Sequence, residues 1–198
     1  NTQLTITQII EDPDKAPANP MPRMFGSGIE LKMNEPIYFT TYNRTSKENG
    51  LAMKEIKKKG IKKIVEGPYT FGNFMYSKGG KGKKPVFVYA RGNFEEGNNL
   101  FASYDNFKTQ KQLSDINPQQ REYNWGTVEL VNWQTADDIF CEGLLFKPED
   151  FDPNKKYPVM IYFYEKNANT LYRHRNPTPS RSTVNIPYFV SNGYVVFV

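Results

Sequence analysis

Ile37-Tyr38-Phe39-Thr40-Thr41-Tyr42 and, 49 residues later, Val86-Phe87-Val88-Tyr89-Ala90 are the stretches that decide the fold. Both are runs of β-branched and aromatic residues, which suit a pleated, half-buried surface. At the same offset Leu51-Ala52-Met53-Lys54-Glu55-Ile56 is followed by Leu100-Phe101-Ala102-Ser103-Tyr104, and residues 61–65 by Gln112-Leu113-Ser114. Clusters of Gly, Asn, Asp and Lys separate the runs, as tight turns between strands require. Two consecutive units therefore repeat three strands in register.

A further strand before each triplet, residues 28–32 and residues 69–77, predicts four strands per unit of about 50 residues. That is the period of a β-propeller blade, and a pair of such sheets implies further blades outside this chain.

After Pro118 the character changes. Residues 127–133 and 140–146 read as two strands around the polar turn Ala136-Asp137-Asp138, and Pro148 ends the second because proline cannot donate to a ladder. A polar linker, residues 149–156, leads into the mostly apolar run 157–164, predicted to be a central strand covered on both faces. A Pro- and Arg-rich loop at 173–181 precedes a short helix over 184–191, stopped by Asn192-Gly193, and a buried strand over 194–198. Strand, helix and strand in that order open a parallel sheet.

Composition excludes several classes. The 198 residues carry 26 Lys and Arg against 21 Asp and Glu, a mild +5, and 38% hydrophobic content with 15% aromatics argues for a packed core rather than disorder. No apolar run approaches the 20 or so residues of a membrane-spanning helix, and the first ten lack a signal pattern. The chain starts with Asn1 rather than Met, as a processed or excised chain would. One cysteine and one histidine supply neither an internal disulfide nor a metal site, and no cofactor is expected. Cys141, in the run Ile139-Phe140-Cys141, reads as a buried small hydrophobe.

The segments Glu142-Gly143-Leu144-Leu145-Phe146-Lys147-Pro148, Phe151-Asp152-Pro153, Lys156-Tyr157-Pro158 and Phe189-Val190-Ser191-Asn192-Gly193-Tyr194-Val195-Val196 resemble the prolyl oligopeptidase family of serine peptidases, in its dipeptidyl peptidase and acylaminoacyl peptidase branch. The resemblance implies a mixed fold: the last blades of a β-propeller over residues 1–125, then the N-terminal portion of an α/β-hydrolase domain over 126–198. It implies peptide-bond hydrolysis through an acyl-enzyme, with a Ser, Asp, His triad located downstream of this chain. Peptide substrates and the remainder of the parent polypeptide are the implied partners, with a homodimer possible. By the same analogy the location is the periplasm or outside the cell, and the cytoplasm is also compatible with a single cysteine.

No serine has glycines two residues away on both sides, so no nucleophile elbow is present, and the chain alone is expected to be inactive. His174 precedes the position where the family places its base and reads as a loop histidine. The family's oxyanion tyrosine follows Tyr-Pro at the end of the next strand, and counting from Tyr157-Pro158 lands on Tyr164. There the usual glycine-rich tripeptide is replaced by Glu165-Lys166-Asn167, so the loop must differ. Arg173, Arg175 and Arg181 fall nearby and suit either a peptide carboxylate or an acid at an interdomain contact.

Other motifs carry less. Lysines at 54–63 and 78–84 read as solvated strand ends rather than a nucleic-acid surface. Gly79-Gly80-Lys81-Gly82-Lys83 lacks phosphate-loop spacing, and Glu95-Glu96 reads as an exposed turn rather than a grip for a peptide amino terminus. The competing expectation is a noncatalytic propeller-type module that binds a protein or glycan, or an inactive hydrolase relative.

Overall fold

The computed structural model describes residues 2–7, 35–77, 86–164, 166–179 and 181–198. They form three four-stranded sheets and very little helix. The chain divides into two compact units, one of residues 1–91 with 99–115 and one of residues 92–98 with 116–198.

The first unit holds two antiparallel sheets. In one, β1 (Thr2–Thr7), β2 (Ile37–Asn43), β3 (Asn49–Lys54) and β4 (Lys62–Gly67) lie in that order. In the other the order is β5 (Thr70–Ser77), β6 (Val86–Gly92), β7 (Asn99–Ser103) and β8 (Lys111–Gln112). The repeated triplets thus appear as β2-β3-β4 and β6-β7-β8. In the first sheet β2 pairs on its outer side with Thr2–Thr7, from Thr2↔Asn43 to Thr7↔Tyr38, while the strand expected at 28–32 lies outside the described residues.

Burial alternates along β6, where Phe87 and Tyr89 point inward, and these two with Leu51 from β3, Phe74 from β5, Phe101 from β7 and Phe107 form the core. Its rings interlock, with Phe87 and Phe107 centroids 5.0 Å apart and Tyr89 and Phe107 4.8 Å apart. Tyr89 is fully buried, and its hydroxyl donates to Gln110 Oε1 at 2.6 Å. Arg91 is held between the Tyr69 and Phe101 rings at 4.1 and 3.9 Å, its cation set against two π faces.

The second unit holds β9 (Thr127–Gln134), β10 (Phe140–Lys147), β11 (Val159–Ile161) and β12 (Val195–Phe197), in the spatial order β11-β12-β10-β9. β9 and β10 form a long hairpin whose turn closes through Asp138 N–H to Thr135 O, with Asp138 in the left-handed region at φ 58°. β12 runs antiparallel to β10 and parallel to β11. The crossover between the parallel strands contains α1 (Ile186–Ser191), capped by the Asn185 side chain and ended at Gly193, φ 80°, where Tyr194 N–H reaches Phe189 O.

The run 157–164 does not form a central, doubly covered strand. β11 keeps only three residues and is an edge among the described strands; Val159 and Ile161 are largely exposed because β12 alone pairs with it. Among the described residues a helix-flanked parallel sheet, as an α/β-hydrolase domain requires, is not evident beyond this one parallel pair.

The core of the second unit gathers Leu144 and Phe146 from β10, Ile186 and Val190 around α1, Val196 from β12, Leu171, and Phe94. Phe94 comes from residues 92–98, which connect β6 to β7 yet belong to this unit. It is 1% exposed and meets Phe146 edge-on at 5.0 Å, while Trp125 Nε1 donates to its carbonyl at 2.6 Å.

Candidate functional site

β11 ends as Tyr162 N–H donates to Phe197 O at 2.9 Å, after which the chain leaves the sheet. Phe163 and Tyr164 then stand exposed, Tyr164 at 81%. A 3-10 turn, Ala168–Thr170, folds the chain back, with Thr170 Oγ1 donating to Asn167 O at 2.8 Å. The next residues carry the three basic groups Arg173, His174 and Arg175.

Arg175 is half-buried. Its Nη2 donates to Thr170 Oγ1 at 2.8 Å and its guanidinium lies 5.5 Å from the centre of the Phe146 ring, but its Nε is shut off from solvent and has no acceptor among the described residues. Burial, and then the charge of Arg173, push its pKa below the ordinary arginine value, against an opposing contribution from Tyr162. His174 is stacked on Trp125, ring centroids 5.4 Å apart and nearly parallel, and its Nδ1 lies 3.1 Å from Asn93 O. Burial lowers its pKa in spite of that hydrogen bond. The loop reading of His174 therefore becomes a specific one: a ring that ties residue 93 to the 173–175 segment.

Two hollows open beside this segment. One, of about 900 Å³, is lined by Tyr162, Tyr164, Arg173, His174, Arg175 and Asn185 among others. The second, of about 790 Å³, is more apolar and is lined by Trp133, Phe140, Cys141, Ile161, Phe163 and Tyr164 among others. The structure thus brings Tyr164, Arg173 and Arg175 to one hollow. Arg181 is exposed and lies outside both linings.

Tyr162 also lines both hollows and was not singled out by the sequence. The signal was available, since residues two apart on an extended segment share a face and Tyr162 stands two before Tyr164. Cys141 is half-buried rather than buried, because it sits at the turn end of the β9–β10 hairpin beside the exposed Ile139 and Phe140.

Glu95 and Glu96 are exposed, and burial together with the neighbouring Glu96 and Glu149 raises the Glu95 carboxyl. In the lysine-rich stretch 54–63, Lys58 pairs with Glu55 and Lys63 with Glu66, each at 2.7 Å, and Glu55 and Lys63 line a hollow in the first unit. The stretch 78–84, with Gly79-Gly80-Lys81-Gly82-Lys83, lies outside the described residues. Among the described residues no group of three His, Cys, Asp or Glu is placed to hold a metal ion, and no helix is long and apolar enough to cross a membrane.

Solved structures that this chain resembles in fold include several peptidases. Over 83% of its length the chain superposes on the AtxE2 isopeptidase with a TM-score of 0.58 and 16% identity, covering 24% of that protein. It matches Porphyromonas gingivalis dipeptidyl peptidase 4 over 83% of its length, TM-score 0.56 and 17% identity, covering 22% of that chain. A putative dipeptidyl aminopeptidase IV from Bacteroides ovatus matches over 97% of the chain, TM-score 0.55 and 16% identity, with 24% of that protein covered. The chain spans about a quarter of the length of these relatives. No family model matches the sequence, and no curated protein matches it. The likeness is one of fold, to a β-rich portion of prolyl oligopeptidase-family peptidases that includes their β-propeller; no catalytic residue is evidenced in this chain.

Proposed function

We propose that the chain is the junction piece of a prolyl oligopeptidase-type serine peptidase of the dipeptidyl or acylaminoacyl peptidase kind. In this reading residues 1–125 are the last two blades of its β-propeller and residues 126–198 open its α/β-hydrolase domain. The observation that carries the reading is the fold likeness to such peptidases, which reaches 97% of the chain and so takes in both units. The parallel pair β11-β12, joined through α1, supports it, since a crossover of this kind builds an α/β sheet. The Ser, Asp and His of the triad come from residues outside this chain, the substrates are peptides met in the periplasm or outside the cell, and no cofactor takes part.

Within that enzyme Tyr164 stabilises the oxyanion. Acyl transfer builds negative charge on the scissile carbonyl oxygen, and a phenolic O–H aimed at it stabilises the tetrahedral intermediate more than the ground state. Its exposure and its place on the rim of both hollows support an approach by substrate from outside. The test is Tyr164→Phe in the parent polypeptide, assayed on small prolyl or alanyl peptides. The expected result is a fall in kcat of about 100-fold with KM little changed, as for loss of one oxyanion donor. An unchanged kcat contradicts the assignment.

A further inference from the structure

The hollow beside Arg175 has a chemical bias that the oxyanion role of Tyr164 does not use. Its described lining includes two guanidiniums, an imidazole, two phenols and several amide and hydroxyl groups, and no aspartate or glutamate. Arg175 is the centre of this imbalance. Of its N–H donors, one on Nη2 meets Thr170 Oγ1, the guanidinium lies 5.5 Å from the centre of the Phe146 ring, and the buried Nε has no acceptor among the described residues. A buried donor without a partner is costly to keep, and a partly buried cation without a counter-charge more so. Arg173, two residues away and lining the same hollow, adds a like charge rather than relief. Nε itself is shut off from solvent, so a ligand entering the hollow meets the terminal nitrogens, where a planar carboxylate fits the end of the guanidinium fork with two parallel hydrogen bonds.

We infer that this hollow binds the carboxylate of a peptide, with Arg175 as the bidentate partner, Arg173 as a second charge on the rim and Tyr162 beside them. That the carboxylate belongs to a peptide rests on the peptidase reading above; the carboxylate preference itself does not. Ile186 and Pro187 are also part of the lining, apolar groups that suit the carbon skeleton carrying the acid. Thr170 acts as a positioning residue, because the bond it accepts fixes the plane of the Arg175 fork.

Calorimetric titration of the full chain with N-acetyl-Ala-Ala and with its C-terminal amide tests this at low salt. The acid is expected to bind at least about tenfold more tightly than the amide, as a charge-assisted bidentate pair provides. Arg175→Gln is expected to abolish the difference, and Arg175→Lys, which keeps the charge and loses the fork, to retain only part of it. Arg181→Gln, exposed and outside the hollow, is expected to leave it unchanged. If Arg175→Gln fails to fold, Arg173→Gln at an exposed position serves instead and is expected to weaken the acid and leave the amide alone. Equal or undetectable binding of acid and amide overturns the inference, as does a preference that survives Arg175→Gln or falls equally with Arg181→Gln. Inorganic phosphate is the arm for a simple anion: binding as tight as that of the peptide acid overturns peptide recognition. Peptide hydrolysis by the parent polypeptide is scored separately, so an inactive parent that still prefers the acid refutes the peptidase reading and leaves the carboxylate site standing.

Discussion

Replacing Phe94 with alanine tests whether residues 92–98 are a structural part of the second unit. The ring is 1% exposed, meets Phe146 at 5.0 Å and Trp125 at 6.2 Å, and belongs to the cluster built on Leu144, Val190 and Val196. Truncating a fully buried phenylalanine costs about 3–5 kcal/mol through lost transfer energy and the cavity left behind. The Trp125 bond to the residue 94 carbonyl involves backbone and survives the change, so the loss is one of packing. For a chain of this length about 2–4 °C accompanies each kcal/mol, giving a fall in Tm of about 6–20 °C. Phe163→Ala is the control, because that ring is 87% exposed and its loss is expected to stay within about 0.5 kcal/mol. Thermal and urea unfolding followed by tryptophan fluorescence compares the two. Equal stability of the two variants refutes the reasoning, since it would mean that Phe94 packs against nothing that matters.

Other expectations follow from the same geometry. Gly126 sits at φ +81°, and a Cβ there would lie 2.3 Å from both Lys147 O and Val190 Cγ1. Gly126→Ala should therefore destabilise well beyond the roughly 1–2 kcal/mol of the left-handed backbone alone, which Gly60→Ala, at φ +80° in open space, measures by denaturation. Burial depresses the His174 pKa, so the folded state resists protonation that the unfolded chain accepts. Its contribution is present above pH ~6.5 and is lost as pH falls through the lower folded value, a slope that His174→Gln should remove from the acid limb of a stability profile. Tyr89 titrates in the opposite sense: burial raises it to about 12, so its contribution holds below pH ~10 and declines toward 12, and Tyr89→Phe should flatten that alkaline limb.

The repeat made β2, β3, β6 and β7 legible, because each is a compact run bounded by turn residues and the chain keeps the same offset between the two copies. β1 escaped because its partner strand begins 30 residues further on, and nothing local to Thr2–Thr7 announces such a distant pairing. The helix stop at Gly193 was legible from Asn-Gly chemistry alone. The exposure of β11 was not, since an apolar run states a preference for burial and not which elements are present to satisfy it.

At the site, counting from Tyr157-Pro158 led to Tyr164, and the arginines announced themselves by charge. What the arginines touch did not. Thr170 and Phe146 reach Arg175 through the fold, and Asn93 and Trp125 reach His174 the same way. Phe94 did leave a trace, as the one large apolar residue in the polar run Arg91-Gly92-Asn93-Phe94-Glu95-Glu96-Gly97.

The central proposal is that this chain serves a serine peptidase whose nucleophile lies elsewhere in the same polypeptide. Labelling the parent polypeptide with a serine-reactive phosphonate, and locating the modified residue by peptide mass spectrometry, tests it most directly. The expected result is a single labelled serine outside these 198 residues, with loss of peptide hydrolysis in proportion to labelling. A labelled serine within the chain, or hydrolysis that continues after complete labelling, contradicts it.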